Sequence, residues 1–320
     1  MALDIVGLIL NYFNALGYGF FNGHILIFQS NFLNDLAMTT PRLLLKAWNI
    51  HPKKKWGQNF LNTPSTAQKI IKAAQIRSED IVLEIGAGLG ALTIPAAQEA
   101  KKVYALERDE KIIPLLKGEL TLNNISNVEI ITNSILKVDL LNLERSVYGD
   151  ILIIGNLPYN ISSQILIRLV PLRSFLSRAI LMFQKELALR LIASPCCKEY
   201  GRISVMMQYC ANIKILTHVN AANFFPKPKV DSTVLEIEFK KEHKILPEDE
   251  SFFFKVVKVA FGKRRKTLKN ALLKSDLKLS QTHIIEALIS ASIDPSRRAE
   301  TLTVSEFINL SNELWPAWNI

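Results

Sequence analysis

Short apolar segments alternate with helix-like segments from residue 80 onward, and this alternation limits the possible folds more than any other feature. Seven segments have the composition of buried strands, and these are 80–85, 103–107, 128–132, 150–154, 179–183, 214–219 and 233–239. Strands that alternate with helices at this spacing form a mostly parallel sheet. We therefore predict an α/β fold built on a doubly wound, seven-stranded sheet.

The composition changes at Lys240–Glu250, which is charged, contains a proline and has no apolar period. Beyond this predicted linker only helical patterns follow, and these are 251–261, 266–273, 283–291 and 304–314. We predict a sheet domain over residues 50–240 and a small all-helical domain over residues 241–320.

Residues 1–49 form an N-terminal extension of different composition. It has no charged residue between Ile5 and Asn34, and the first Lys or Arg of the chain is Arg42. Secretory and mitochondrial targeting segments require basic residues, and polar side chains interrupt the segment as a membrane span. We expect translation to begin at Met38, with a membrane-associating tail as the alternative.

The chain is basic, with 39 Lys and Arg against 29 Asp and Glu and a formal net charge of +10. Such a charge favours a polyanionic partner. The three cysteines, at positions 196, 197 and 210, form no CxxC or Cys/His pattern. We therefore expect a reducing compartment and neither a zinc site nor a disulfide framework.

A glycine-rich turn, Gly86-Ala-Gly-Leu-Gly90, joins the first predicted strand to a helix. Glycines let the backbone turn tightly and approach a ligand closely. Glu107 ends the next strand, 21 residues after Gly86, where a carboxylate can accept hydrogen bonds from ribose hydroxyls. These two features predict an adenosine-containing cofactor. The turn also fits the dinucleotide pattern, so it does not separate a dinucleotide from S-adenosylmethionine.

The run Asn156-Leu-Pro-Tyr159 follows the fourth predicted strand, at the edge of the sheet where ligands bind. The amino group of adenine is a poor nucleophile because its lone pair is delocalised into the ring. Two acceptors, the Asn156 side-chain carbonyl and a backbone carbonyl of Leu157 or Pro158, can hold that group in line with a methyl donor. Tyr159 offers a flat face for the base. The run therefore favours methylation of adenine N6.

Several ordered motifs resemble those of the ribosomal RNA adenine dimethyltransferase family, and they extend from about residue 50 to about residue 308. They are Gly57-Gln-Asn-Phe-Leu61, the run from Glu84 to Thr93, the run from Gly155 to Ser162, Phe183-Gln-Lys-Glu186, Tyr200-Gly-Arg-Ile-Ser-Val205, the run from Phe224 to Ser232, the run from Phe261 to Leu268 and Arg298-Ala-Glu-Thr-Leu302. The resemblance implies a Rossmann-like methyltransferase sheet with a helical C-terminal domain.

The resemblance also implies an activity. Methyl groups pass from S-adenosylmethionine to N6 of two adjacent adenosines, two for each base. These adenosines lie in the hairpin loop near the 3′ end of small-subunit rRNA. The expected partner is therefore this RNA or the immature small ribosomal subunit.

The same resemblance assigns roles to individual residues. The residues expected to act on the target base are Asn156, Leu157, Pro158, Tyr159 and Phe224, whose ring would stack on the base. The residues expected to bind the cofactor are Asn59, Leu61, Gly86, Gly88, Glu107, Ser134 and Asn156.

One cofactor position departs from the family pattern. After the third strand the family has Gly-Asp-Ala-Leu, in which the Asp reaches the adenine amine of the cofactor, whereas this chain has Asn133-Ser-Ile-Leu136. Ser134 is uncharged and has a shorter reach, so we expect weaker cofactor binding or a bridging water.

A dense basic run lies between two predicted helices of the C-terminal domain. Residues 255–269 hold seven basic residues and no acidic one. Because phosphate contacts supply affinity without sequence information, the expected RNA-binding residues are Lys263, Arg264, Arg265 and Lys266. A second candidate patch is Lys53-Lys-Lys55.

Two alternative functions remain open. One is a large-subunit rRNA adenine methyltransferase of the macrolide-resistance type, which shares the glycine turn and an Asn-x-Pro-Tyr run. Leu157, Tyr200-Gly-Arg202 and Arg298–Leu302 favour the small-subunit enzyme. The other is a non-catalytic ribosome-assembly or transcription factor on the same fold, which the intact Asn156–Tyr159 run disfavours. We further expect a cytoplasmic monomer with no metal and no stable membrane partner.

Overall fold

The structure, a computed structural model, describes residues 40–140, 150–241, 245–263 and 265–319. The expectations for the segment 1–37, for a start at Met38 and for Arg264 lie outside the described residues.

The described residues group into two compact units. The first takes the described chain up to Ile165 together with Phe175–Gln184 and Ile215–Glu236. The second takes Leu166–Ser174, Lys185–Lys214 and the described residues from Ile237 onward. The predicted domain limits at residues 49 and 240 stay predictions.

Nine strands are present among the described residues. They are β1 (Phe60–Leu61), β2 (Ile81–Ile85), β3 (Lys102–Glu107), β4 (Val128–Thr132), β5 (Ile151–Asn156), β6 (Leu176–Gln184), β7 (Ala211–Val219), β8 (Phe224–Phe225) and β9 (Ser232–Phe239). Seven form one sheet in the order β4-β3-β2-β5-β6-β9-β7, while β1 pairs with β8 in a separate two-stranded ribbon.

The pairs from β4 through β6 are all parallel. The strand order reverses between β2 and β5, which are adjacent in the sheet but far apart in the chain. This reversal is the topological switch point, where open α/β sheets bind ligands beyond the carboxyl ends of their strands. The predicted doubly wound, mostly parallel, seven-stranded sheet is confirmed.

Helices connect the strands and form the C-terminal region. They are α1 (Pro41–Ala47), α2 (Pro64–Ala74), α3 (Thr93–Glu99), α4 (Ile113–Leu122), α5 (Ser162–Leu169), α6 (Lys185–Ile192), α7 (Arg202–Cys210), α8 (Glu250–Ala260), α9 (Leu268–Leu273), α10 (Gln281–Ser290) and α11 (Val304–Trp318). The helical C-terminal region is therefore confirmed. Among these helices, none combines the length and the apolarity needed to cross a bilayer.

The central strands β2 and β5 are buried on both faces of the sheet. In β2 the residues after Ile81 are all buried, and in β5 every residue before Asn156 is buried. A parallel strand buried on both faces reads as a continuous apolar run rather than an alternating one. The edge strand β4, in contrast, is partly exposed along its length. The most deeply buried strands of the sheet are therefore β2 and β5, which flank the switch point.

The second unit has its own aromatic core. Phe252 and Phe253 of α8 and Phe307 of α11 are fully buried, and α8 and α10 both pack on α11. The Tyr200 hydroxyl donates a hydrogen bond to the Leu302 carbonyl oxygen at 2.9 Å. Residues of two of the sequence motifs therefore meet here in a structural contact.

Candidate active site

Two loops meet at the switch point of the sheet. One is the glycine turn after β2, and the other is the NLPYN loop (Asn156–Asn160), which begins with the last residue of β5. The Asn156 backbone oxygen is 3.8 Å from where a Cβ on Gly86 would lie. The pocket at this place is lined by residues 56–61, 84–89, 91–92, 106–108, 133–135, 156, 158 and 161. All seven residues expected to bind the cofactor are among them.

The glycine turn depends on backbone angles that other residues rarely adopt. Gly86 and Gly88 have φ angles of +78° and +55°, in the left-handed region that favours glycine. A Cβ on Gly88 would also come within 3.3 Å of the Phe60 ring. The turn therefore exposes backbone to the pocket, and a side chain at Gly88 would have a strained backbone and a tight contact with Phe60.

Two buried carboxyl groups, those of Glu84 and Glu107, line this pocket. Glu107, at the end of β3, accepts hydrogen bonds from the Gly88 and Asp109 amides at 2.9 and 2.8 Å. Burial raises the pKa of Glu107, and these backbone hydrogen bonds oppose the rise. Glu84, at the end of β2, accepts from the Thr93 hydroxyl at 2.5 Å. Burial raises its pKa to about 8, against the Thr93 hydrogen bond and with a further contribution from Glu107.

Sequence reasoning did not single out Glu84 as a site residue. Its position could have indicated a role, because Glu84 lies near the carboxyl end of the strand that precedes the glycine turn, and Glu107 ends the neighbouring strand.

Asn156 has a fixed orientation. Its side-chain nitrogen donates a hydrogen bond to the Asn59 backbone oxygen at 2.8 Å, and the Asn59 side-chain nitrogen donates to the Gly57 oxygen at 3.1 Å. The amide orientation follows from this network. Among the described residues, no donor is bonded to the Asn156 side-chain oxygen, which is thus available to a ligand.

The structure distinguishes between the two backbone carbonyls proposed as the second acceptor. The Pro158 oxygen already accepts two hydrogen bonds, from the Ile161 amide at 3.1 Å and the Ser162 hydroxyl at 2.9 Å. These two donors begin α5 and use both lone pairs of the oxygen. No described donor is bonded to the Leu157 oxygen, so Leu157 is the better candidate.

Tyr159 is anchored through its hydroxyl. The Tyr159 and Ser232 oxygens are 2.6 Å apart, and Ser232, the first residue of β9, is fully buried. Burial raises the pKa of Tyr159, and the hydrogen bond with Ser232 only partly offsets this effect. The ring is therefore neutral and fixed at its outer end, with part of its surface exposed.

Phe224 is placed differently from the sequence expectation. Its side chain is only 3% exposed and packs in the core with Leu61 and Val219, and it does not line the pocket. Phe224 and Phe225 form β8, which pairs with Phe60 and Leu61 of β1. The ribbon thus pairs the end of the Gly57–Leu61 motif with the start of the motif that runs from Phe224 to Ser232. Stacking of Phe224 on a base stays a prediction that would require the ring to move.

Ser134 begins a short turn at the pocket wall. Its hydroxyl oxygen accepts a hydrogen bond from the Leu136 amide at 3.3 Å, and its backbone oxygen accepts from Lys137 and Val138 at 2.8 and 2.9 Å. An aspartate would make the same local contact. The departure from the family pattern therefore removes a charge from the pocket wall, while the local hydrogen bond to the Leu136 amide is made by the serine hydroxyl.

The second candidate basic patch is only partly available to RNA. The Lys53 ammonium lies 2.7 Å from the buried Asp109 carboxylate and 3.9 Å from the centre of the Trp56 ring. Arg108 lies 4.2 Å from the same ring centre. Lys53 therefore makes its contacts within the protein, with Asp109 and Trp56, whereas Lys54 and Lys55 are exposed. Trp56 lines the pocket and was not predicted to do so.

The main basic run occupies the predicted connection between two helices. Lys263 ends a short 3-10 turn after α8, and Arg265 and Lys266 precede α9. All three side chains are exposed, and no ion pair between described residues involves them.

The described residues contain no group of three or more His, Cys, Asp or Glu side chains arranged to hold a metal ion.

The sheet, the glycine turn with its acidic partners and the NLPYN loop define the chain as a methyltransferase of the Rossmann-like class. It belongs to the ribosomal RNA adenine dimethylase family, whose model matches residues 49–315. The predicted family resemblance is thereby confirmed.

Individual relatives agree with this assignment. The chain is 49% identical over 278 residues to the ribosomal RNA small subunit methyltransferase A of Desulforapulum autotrophicum, covering 87% of this chain and 97% of the relative. It is 39% identical to the protein of the same name from Alkaliphilus metalliredigens, covering 85% and 95%.

Solved structures show the same fold. A dimethyladenosine transferase from Plasmodium falciparum superposes with a TM-score of 0.67 at 27% identity, covering 78% of this chain and 95% of that one. The 23S rRNA methyltransferase ErmE superposes with a TM-score of 0.62 at 22% identity, covering 80% and 99%, which shows the shared fold alone.

Proposed function

We propose that this chain uses S-adenosylmethionine to dimethylate N6 of two adjacent adenosines in the 3′-terminal hairpin loop of small-subunit rRNA, during ribosome biogenesis. The observation that carries the proposal is the orientation of Asn156, whose amide nitrogen is held by Asn59 while its oxygen is left for a donor group. The relatives named as small subunit methyltransferases support this choice of RNA.

The pocket has the chemical features that a cationic adenosine cofactor requires. S-adenosylmethionine carries a sulfonium and an ammonium group, and the pocket offers two buried carboxyl groups, Glu84 and Glu107. Arg108 is the single basic residue among the described lining residues. The glycine turn lets backbone approach the ligand closely, and each Glu107 oxygen keeps a lone pair for a ribose hydroxyl. When bound, the cofactor supplies an electrophilic methyl group.

The residues of the NLPYN loop would orient the nucleophile. The Asn156 side-chain oxygen and the Leu157 backbone oxygen accept the hydrogens of the adenine amino group, which favours the pyramidal geometry of the transition state. After the first transfer the nitrogen keeps one hydrogen, so one of the two acceptors suffices for the second transfer. The methylated nitrogen is cationic and acidic, and no strong base is needed to remove its proton.

The Tyr159 ring would hold the base from one face. Stacking of a base on an aromatic side chain contributes about 1–3 kcal/mol. An adenine must leave its own stack to reach a pocket of this kind, and the neutral Tyr159 ring repays part of that cost.

Methylation of isolated subunits tests the proposal. Undermethylated small subunits and large subunits are incubated separately with the protein and S-adenosylmethionine labelled on its methyl group, and the modified bases are mapped. We expect label on two adjacent adenosines of the small-subunit hairpin loop. Label on large-subunit rRNA would support the macrolide-resistance type instead, and RNA binding without label would support a non-catalytic factor.

The exposed side chains of Lys263, Arg265 and Lys266 support an RNA-binding role for the basic run, which in the sequence is Lys263, Arg264, Arg265 and Lys266. Replacing all four by Gln should weaken RNA binding for every sequence and lower the slope of log K against log salt by roughly 0.7–0.9 per lost phosphate contact. Titrations at several salt concentrations measure this slope. An unchanged slope would mean that the run is a solvated surface without RNA contacts.

The same function leads us to propose a cytoplasmic protein that acts as a monomer. Its RNA partner is found there, and the NLPYN loop and the pocket are formed within one chain. Sedimentation of the purified protein tests the monomer, because a stable dimer would contradict it.

A further inference from the structure

Two exposed basic segments are attached to neighbouring residues of the NLPYN loop. The first is the turn at Lys54–Gly57, and its Lys55 backbone oxygen accepts a hydrogen bond from the Asn160 side-chain nitrogen at 3.0 Å. Gly57, with a φ of +65°, approaches so closely that a Cβ there would lie 3.3 Å from the Tyr159 nitrogen. The backbone of this first segment therefore packs directly on the NLPYN loop.

The second basic segment is the loop Pro226–Asp231, which is fixed at both ends. At one end Phe225 pairs with Phe60 in the two-stranded ribbon. At the other end Ser232 is 2.6 Å from the Tyr159 hydroxyl. The Asp231 carboxylate accepts a hydrogen bond from the Ala221 amide at 2.9 Å, so the one acid of the loop is used locally.

The basic side chains of both segments point to solvent. Lys54, Lys55, Lys227 and Lys229 are all exposed, and no ion pair between described residues involves any of them. Pro226 and Pro228 directly precede Lys227 and Lys229, and each proline ring fixes the φ angle of its own residue. The four lysines thus lie on two segments whose backbones are fixed by contacts with the NLPYN loop, one through Ser232 and Tyr159 and the other through Lys55 and Asn160.

We propose that Lys54, Lys55, Lys227 and Lys229 bind the phosphates on either side of the target adenosine, so that the RNA strand is held where its base enters the pocket. The proposal rests on the proposed function, because it takes the NLPYN loop as the place where the base is held. It assigns to the sheet-containing unit an RNA contact separate from the basic run at residues 263–266. The partner is a single RNA strand, since a base has to leave its stack to reach Tyr159.

Two double variants and a matched control test the proposal. The variants are Lys54→Gln with Lys55→Gln, and Lys227→Gln with Lys229→Gln. The control, Lys72→Gln with Lys101→Gln, removes two exposed lysines from the same unit. Lys101 directly precedes β3 and Lys72 lies near the end of α2, so both are at the amino end of the strands, away from the NLPYN loop. Equal melting temperatures would show that the folds are intact.

The probe is the small-subunit hairpin RNA, with and without uncharged methylphosphonate linkages on both sides of the target adenosines. For each of the two variants we expect the salt slope to fall by roughly 1.4, which is two contacts at about 0.7 each for a single strand. The neutral linkages should weaken binding of the wild-type protein and of the control, and should have a smaller effect on the two variants.

Several results would overturn the proposal. They are an unchanged salt slope in both variants, an equal change in the control, or neutral linkages that affect variants and wild type alike. Methylation by the wild-type protein is measured separately on undermethylated small subunits. The salt slopes and the effect of the neutral linkages are measured by binding alone. A failure of the methylation assay would therefore refute the proposed function, and it could not be mistaken for a lack of phosphate binding by these lysines.

Discussion

The two sides of the NLPYN loop have opposite electrostatic character. On the pocket side Asn156 lines the same pocket as the buried residues Glu84 and Glu107. On the outer side Tyr159 and Asn160 are attached to segments that carry exposed lysines. Buried acids suit a small cationic ligand, whereas exposed lysines suit a polyanion. One five-residue loop thus separates the two kinds of site and is fixed by hydrogen bonds from both.

The largest expected effect concerns Phe224, which is buried in the core of the first unit and pairs with Leu61. Phe224→Ala should lower the free energy of unfolding by about 3–5 kcal/mol, because it leaves a cavity in a well-packed core. Urea denaturation measures this change.

Tyr159→Ala is the contrasting variant. It should weaken binding of the hairpin RNA by about 1–3 kcal/mol through loss of a stacking face, with a smaller effect on unfolding since the ring is partly exposed. If Phe224→Ala left stability unchanged and weakened RNA binding as Tyr159→Ala does, the ring would be a base-contacting group rather than a core residue.

The next effect is catalytic and concerns the pocket side. Asn156→Ala should reduce the single-turnover rate of methyl transfer by about 10²–10³-fold, the range found when one preorganised polar group is removed from an active site. Most RNA binding should remain. Asn160→Ala is a suitable control, because it removes a hydrogen bond to the outer segment and leaves both acceptors in place. A variant that kept more than about a tenth of the wild-type rate would contradict the proposed role of Asn156.

The buried Glu84 carboxyl group leads to a pH-dependent prediction. Burial raises the pKa of Glu84 to about 8, so in the free protein its carboxyl group is largely protonated at pH 7. The folded state then binds more protons than the unfolded state between about pH 4.5 and 8, and this residue makes stability fall as pH rises through that window. A bound cation favours the ionised form and lowers the pKa. Cofactor affinity should therefore rise several-fold per pH unit up to about pH 8, with release of a proton.

Calorimetry in buffers of different ionisation enthalpy measures that proton. Glu84→Gln is the control, because it keeps the shape of the side chain and removes the titration. The difference between wild type and control isolates Glu84 from the ionisation of the ligand. Equal proton release by both proteins would show that Glu84 does not respond to the cofactor.

Local signals explain what the sequence could predict. The glycine turn and the NLPYN run were recognisable because each needs particular backbone chemistry within a few residues. At the start of α2 the Thr63 hydroxyl contacts the Asn223 side chain at 3.2 Å instead of capping the helix. That partner is 160 residues away, and no local pattern reveals it.

Longer-range contacts account for the other differences. The ribbon of β1 and β8 was missed because strands of two residues have no detectable period. Lys53 read as part of a basic patch, since its pairing with Asp109 depends on the fold. The choice of Leu157 over Pro158 as acceptor was closer to being predictable, because a serine four residues after Pro158 begins a helix and can donate back to its carbonyl.

The smallest expected effect tests Ser134, on the pocket side. An aspartate could accept a hydrogen bond from the adenine amine of the cofactor with a full charge, and such bonds contribute about 1.5–3 kcal/mol against about 0.5–1.5 kcal/mol for neutral ones. The Ser134 hydroxyl makes only a 3.3 Å contact with the Leu136 amide, which an aspartate can replace. Ser134→Asp should therefore tighten S-adenosylmethionine binding by about 1 kcal/mol and leave RNA affinity unchanged. The added charge also lies in a pocket that already holds two carboxyl groups, and an unpaired carboxylate there would cost more than it gains. Calorimetric titration of both proteins decides between these outcomes, because equal or weaker binding by the variant would show that the pocket is adapted to serine.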